Sequence, residues 1–109
     1  MINQESAIKA LQAKIICGTA DADKKFTAVY AGDFLSRVMS KAPEDCIWLT
    51  IMNNVNVAGV AVLADIKMIV LCEGMIPDDN LVSRATDEGI LIASTGFAVY
   101  DACVALSRL

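Results

Sequence analysis

The chain of 109 residues carries 13 acidic and 9 basic side chains, a net charge of −4, and lacks the clustered positive charge that neutralises nucleic-acid phosphates. It is 56% hydrophobic with a mean hydropathy of +0.53, yet no apolar run reaches the roughly 18 to 20 residues a membrane-spanning helix requires. Neither nucleic acid nor a membrane is therefore an expected partner. The length suits one hydrophobic core, so residues 1–109 are expected to form a single domain. With only 20% charged residues, a domain this small is expected to cover part of its apolar surface with a second copy, as a homodimer.

The start, MINQESAIKAL, has no basic region followed by an apolar stretch, so a signal peptide is not expected and a cytoplasmic location is. Asn3 is placed to cap a helix running through Gln12, with Ala7, Ile8 and Leu11 forming its apolar stripe. Lys14 to Cys17 reads as a short strand ending at Gly18, and the polar segment Thr19 to Lys25 as a turn. Phe26 to Tyr30 reads as a second strand, and Gly32-Asp33 turns the chain. Asp33 is the expected cap of a helix from Phe34 to Lys41, with Phe34, Leu35, Val38 and Met39 facing the core; Ala42 to Asp45 stops it.

The central stretch Ile47 to Gly74 holds the longest apolar runs. Ile47 to Thr50 and Met68 to Cys72 are short, branched and apolar, the pattern of strands buried on both faces. Between them Val57 to Ala64 carries no charge and predicts an almost fully buried helix, capped by Asn56 and left at Asp65. Gly59 in its middle costs roughly 1 kcal/mol against alanine, which suggests close packing against a neighbouring backbone. Strand, helix, strand is a crossover unit of a parallel sheet.

Beyond the loop Gly74 to Pro77, Asp78 or Asp79 caps a helix to Glu88, and Gly89 stands where a left-handed residue ends a helix. Ile90 to Ala93 is the next strand, and Ser94-Thr95 caps a last helix to Leu106 with Phe97, Tyr100 and Val104 on one face. Alternation of this kind predicts an α/β layered sandwich, a largely parallel sheet of about five short strands flanked by helices.

The inventory narrows the chemistry. There is no histidine, which removes the usual general base and nucleophile pairs, and no phosphate-binding glycine loop, dinucleotide fingerprint or paired-cysteine motif. No enzyme activity, no metal and no cofactor are expected. Cys17, Cys46, Cys72 and Cys103 read as reduced core thiols. The adjacent acids Glu44-Asp45 and Asp78-Asp79 fall at helix ends, where capping explains them.

In open parallel sheets ligands bind beyond the carboxyl ends of the strands, at a topological switch point. Three such ends are polar here: Asn53, Asn54 and Asn56; Glu73 and Gly74; Ser94, Thr95 and Gly96. Helix starts at Val57 and Phe97 would aim free N–H groups at the same side, suiting a small anion, with Arg84 and Lys67 as the nearby cations. Those eight residues are the candidate ligand site, weighed against plain helix capping.

The segments YAGDFLSRVM, WLTIMNNVNVAGVAVLADIKMIVLCEG and IPDDNLVSRATDEGILIASTGFAVYDA together resemble the DRTGG domain, over about Lys14 to Leu106. The resemblance implies a compact α/β regulatory or oligomerisation domain, found beside enzymatic or nucleotide-sensing domains in some phosphotransacetylases and CBS-domain pyrophosphatases. It also implies a fold similar to the N-terminal part of HPr kinase. Short stand-alone versions are typical of anaerobic bacteria, near hydrogenase and redox-partner genes. Where the family shows Gly-Asp-Arg this chain reads Thr50-Ile51-Met52, and where it shows Thr-Gly-Gly it reads Cys72-Glu73-Gly74. The expected function is a non-enzymatic regulatory or scaffolding domain that binds a small anionic ligand, a nucleotide among the candidates, or docks on a partner enzyme. Two alternatives stand beside it: a small phosphotransfer or enzyme component, and a structural subunit of a redox complex without a ligand.

Overall fold

The computed structural model describes residues 1–109. The first half contains β1 (Ile2–Asn3), α1 (Gln4–Ala10), β2 (Lys14–Cys17), β3 (Lys25–Phe26), β4 (Ala28–Ala31) and α2 (Leu35–Lys41). The second half contains β5 (Cys46–Thr50), α3 (Asn56–Ala64), β6 (Met68–Leu71), α4 (Asp79–Asp87), β7 (Leu91–Ser94) and α5 (Val99–Ser107). The main sheet has five strands in the order β2-β7-β6-β5-β4, parallel except for β2, and β1 pairs with β3 in a separate two-stranded ribbon. The fold is thus the α/β sandwich with a largely parallel sheet that the alternation predicts.

Strand period accounts for the two cores. In β5, Cys46 and Trp48 face one side, with Ile69, Leu71 and Ile92 of the neighbouring strands; Val38, Ala58, Ala61, Leu81 and Ala85 of α2, α3 and α4 pack onto them. Ile47 and Leu49 face the other side with Met68, Val70 and Ala93, under Ala7, Leu11, Ala102 and Leu106 of α1 and α5 and the segments beside them. Every residue of β5 and β6 is buried, each large aliphatic side chain contributing about 1.5–3 kcal/mol. The pairing Ile47↔Met68 to Thr50↔Leu71 cannot slip by one position, because that would exchange the two cores.

The helix ends depart from the expected caps in informative ways. Asn3 and Asp78 cap α1 and α4 as expected, accepting from the N–H groups of Ser6 and Leu81 at 3.1 and 2.7 Å. Asp33 does not cap α2: Phe34 is the residue before the helix, without a side-chain bond, and Asp33 is engaged elsewhere. Asn56 lies inside the first turn of α3 rather than capping it, and Val55 precedes the helix. Ser94 and Thr95 do not cap the last helix, which starts later, at Val99 after Ala98. Gly89 takes the left-handed conformation expected after a helix, at φ +70°.

Three burial expectations are overturned. Phe34 and Met39 are exposed, because only Val38 of α2 is fully buried, with Leu35 packed beside it. Tyr100 is exposed and Ala102 and Leu106 hold α5 to the sheet, with Phe97 packed at the margin. The central helix α3 buries Val57, Ala58, Val60 and Ala61 but leaves Val62 and Leu63 outside, at 39% and 74% exposure. Gly59 lies on that outer side, and a Cβ there would meet nothing within 4 Å, so no close backbone approach requires it. The expected strand Phe26 to Tyr30 is also divided, Phe26 pairing with Ile2 while Ala28–Ala31 joins the main sheet.

Candidate functional site

β4, β5, β6 and β7 lie side by side in sequence order, so the connecting helices α2, α3 and α4 stack on one face, as right-handed crossovers require. Among the helices that follow the parallel strands, the face changes once, between α4 after β6 and α5 after β7. That is where a crevice at the carboxyl end would open. Here it is laced shut. The Glu73 and Gly74 N–H groups donate to the carbonyls of Phe97 and Thr95 at 2.8 and 2.9 Å, and the Ser94 hydroxyl donates to the Met75 carbonyl at 2.9 Å.

The other carboxyl-end loops are tied in the same way. The Asn53 side-chain amide donates to the Ile76 carbonyl at 2.8 Å, and the Asp78 N–H donates to the Asn53 carbonyl at 3.0 Å. Asn54 accepts from the Asn56 N–H at 2.9 Å through its side chain and from Val57 N–H at 3.0 Å through its carbonyl. Ala58 and Gly59 donate to the Val55 carbonyl, so no first-turn N–H of α3 remains free for an anion. The Thr95 hydroxyl, 2% exposed, donates to the Leu11 carbonyl at 2.6 Å and accepts from Phe97 N–H at 3.2 Å.

The structure thus gathers the eight sequence-derived residues along one end of the sheet and commits most of their polar groups to one another. Asn56 and Glu73 keep side chains without an internal hydrogen bond, and Gly96 is open to solvent. Glu73 and Gly74 both take left-handed φ values, +58° and +71°. The N–H groups of Val99, Tyr100 and Asp101 are free at the start of α5, with the Asp101 carboxylate in that turn. The two expected cations are not at this end for a ligand: Lys67 precedes β6, at the opposite end of the strands, and pairs with Asp65 at 3.7 Å, and Arg84 pairs with Glu88 at 3.3 Å.

One member of this constellation is expected from the sequence only as a helix cap. The Asp33 carboxylate accepts from the Thr50 hydroxyl at 2.7 Å and from Ile51 N–H at 2.9 Å, joining the ends of β4 and β5. A fully buried threonine closing an otherwise apolar strand has to find a partner, and the loop after the neighbouring strand β4 supplies it. The Trp48 indole N–H, donating to the Gly32 carbonyl at 2.9 Å, reinforces the same junction.

The cysteines are all free. Burial pushes the Cys46 thiol up to about 11, with the Asp45 charge adding to it. Burial does the same to Cys72, with Cys103 and the Asp33 and Glu73 carboxylates contributing. Thiols held neutral in this way are poor nucleophiles and poor metal ligands. No three His, Cys, Asp or Glu residues are grouped to hold a metal ion.

The concavity of the molecule lies at the other end, where the parallel strands begin. A cavity of about 360 Å³ is lined by Gln4, Gly18, Thr19, Lys24, Lys67 and Gly89 among others.

This layering is that of a DRTGG-like α/β domain. Among solved structures the chain is similar to the CBS and DRTGG domains of the regulatory region of Clostridium perfringens pyrophosphatase, solved with its activator diadenosine tetraphosphate. The TM-score is 0.79 at 11% identity, over 96% of this chain and 46% of that one, so this chain spans about half the length of that regulatory region. No family model matches the chain, and no curated protein does. No helix is long and apolar enough to cross a membrane.

Proposed function

We propose that residues 1–109 form one non-enzymatic regulatory domain that works as a homodimer, with the outer face of α3 and α2 as the surface joining two copies. The observation that carries this is the uncharged outer face of α3: Val55 just before it and Gly59, Val62 and Leu63 within it turn outward, and Phe34 and Met39 are exposed at the start of and within α2, which packs against α3. In a two-fold interface the residues at the axis meet their own copies, where a charge would face its like, so an uncharged stripe is the least costly surface there. A stable dimer covers about 800 Å² per partner, roughly a seventh of the 5652 Å² surface, so contacts must extend from α3 across α2.

Amide hydrogen exchange at low and high protein concentration tests the reading. Protection that grows with concentration over residues 34–41 and 55–64 supports it. Concentration-dependent protection confined elsewhere contradicts it.

A second reading is favoured by the activator in the similar regulatory region: binding of a nucleotide. The lacing of the carboxyl-end loops argues against a preformed nucleotide crevice there. A thermal-shift screen with adenine and guanine nucleotides tests it, since a ligand at a hundredfold excess over Kd adds about 2.7 kcal/mol. An unchanged midpoint with every nucleotide contradicts it.

A further inference from the structure

We infer that the cavity at the amino ends of β6 and β7 is a binding site for a small phosphate-bearing ligand, held by Lys24, Lys67, Thr19 and the Gln4 amide. This goes beyond the dimer reading and does not depend on it. Three chain segments converge there. Lys67 immediately precedes β6, Gly89 precedes the start of β7, and Gly18 follows β2, which runs the other way. Gly18 has φ +88°, and a Cβ on it would lie 2.9 Å from the Leu91 Cα, so the cavity wall is formed by a backbone approach that excludes other residues.

Two independent features point to a ligand. The first is Gln4, 5% exposed and part of the wall. Its side-chain oxygen accepts from Asp21 N–H at 2.7 Å, leaving the amide nitrogen as donor, and that nitrogen has only the Met68 thioether at 3.9 Å. A thioether is a weak acceptor, so a buried donor is left nearly unused. The second is a set of unspent donors around it. The N–H groups of Gly18, Thr19 and Lys67 have no acceptor within the chain, and neither has the Thr19 hydroxyl.

The two ammonium groups supply the charge. Lys24 and Lys67 rest against Asp45 and Asp65 at 3.5 and 3.7 Å, and both carboxylates are exposed. Exposed pairs of this geometry are weak, so a dianionic phosphate displaces them readily. Asp21, the one carboxylate in the lining, accepts from Asp23 N–H and can accept from a hydroxyl of the ligand. No aromatic side chain lines the cavity, so nothing there stacks on a nucleobase. The chemistry is that of inorganic phosphate or a small hydroxylated phosphate ester.

The test is an ¹H–¹⁵N titration of the full chain at low salt with inorganic phosphate and, separately, glycerol phosphate. Shifts centred on the amides of Gly18, Thr19 and Lys67 support the site. Lys67→Gln should then weaken binding about tenfold, the loss expected for a bond to a charged group, while Lys9→Gln, on an exposed helix face, should change it less than about twofold. Trp48 fluorescence confirms that each variant is folded. No shift with either probe, shifts centred instead on Gly74 and Gly96, or equal losses in the two lysine variants would overturn the assignment.

Discussion

Replacing Asp33 by alanine tests how the carboxyl ends of the strands are held. The substitution removes two bonds at once, to the Thr50 hydroxyl at 2.7 Å and to Ile51 N–H at 2.9 Å. A hydrogen bond to a charged group contributes about 1.5–3 kcal/mol. Asp33 and Ile51 retain contact with water, so the Ile51 bond is partly replaced, whereas Thr50 is fully buried and its hydroxyl keeps only the Met52 N–H at 3.2 Å as a donor to it. The expected loss is therefore about 2–3 kcal/mol. Thr50→Val, nearly the same shape, should cost about 1–2 kcal/mol, because it leaves no orphaned hydroxyl and frees an exposed carboxylate to hydrate but removes the acceptor of the Met52 N–H. The double variant should fall short of the sum by about 1 kcal/mol, the coupling of two groups in one network. Urea unfolding followed by the fluorescence of Trp48, the single tryptophan and fully buried, reads all three. A loss below about 0.5 kcal/mol for Asp33→Ala, the level of an ordinary surface change, would refute the reasoning, as would strict additivity in the double variant.

Other expected outcomes follow from single positions. Gly18→Ala should destabilise by at least about 1–3 kcal/mol, since the added methyl meets the Leu91 backbone at a left-handed φ; a urea midpoint near wild type would contradict this. Glu73→Gly should stabilise by about 0.5–1 kcal/mol, relieving a left-handed φ of +58° on a residue whose side chain bonds to nothing. The Cys46 and Cys72 thiols are raised in the folded state, so their contribution is intact below the ordinary value of 9.0 and is lost as pH climbs through about 11. The loss is up to about 1.4 kcal/mol per pH unit for each thiol, and the Cys46→Ala/Cys72→Ala variant should show a shallower fall in stability between those pH values. In native protein at pH 8, half-buried Cys17 and Cys103 should react with a thiol reagent well before Cys46 and Cys72, which peptide mapping would show.

The strands were legible because their chemistry is unambiguous. Ile47 to Thr50 and Met68 to Cys72 are short runs, apolar but for Thr50, and the strands Cys46–Thr50 and Met68–Leu71 lie there, inside the sheet. Helix faces were less legible. An uncharged helix such as α3 reads as buried all round, and nothing local distinguishes Val60, packed on Trp48's layer, from Leu63, which faces solvent. Capping was misread wherever a polar residue had a better partner across the fold: Asp33 goes to Thr50, and Thr95 goes to Leu11, 84 positions away in sequence. The amino-end cavity was invisible because Gln4, Thr19 and Lys67 come from segments that share no local pattern and meet only when β2, β6 and β7 align. The candidate residues at the carboxyl end did converge, but the bonds among them, which decide what is left for a ligand, depend on loop geometry.

The central claim is that two copies meet through α3 and α2. It is tested most directly by sedimentation equilibrium of the wild-type chain beside Leu63→Asp. Burying Leu63 at a two-fold contact contributes about 1.5–3 kcal/mol per copy, so the substitution should raise the dimer Kd by two to four orders of magnitude, before any repulsion between the paired carboxylates. The account predicts a wild-type mass of twice 11.6 kDa and a folded monomer for the variant. A wild type that stays monomeric at high concentration, or a dimer that the aspartate leaves untouched, would contradict it.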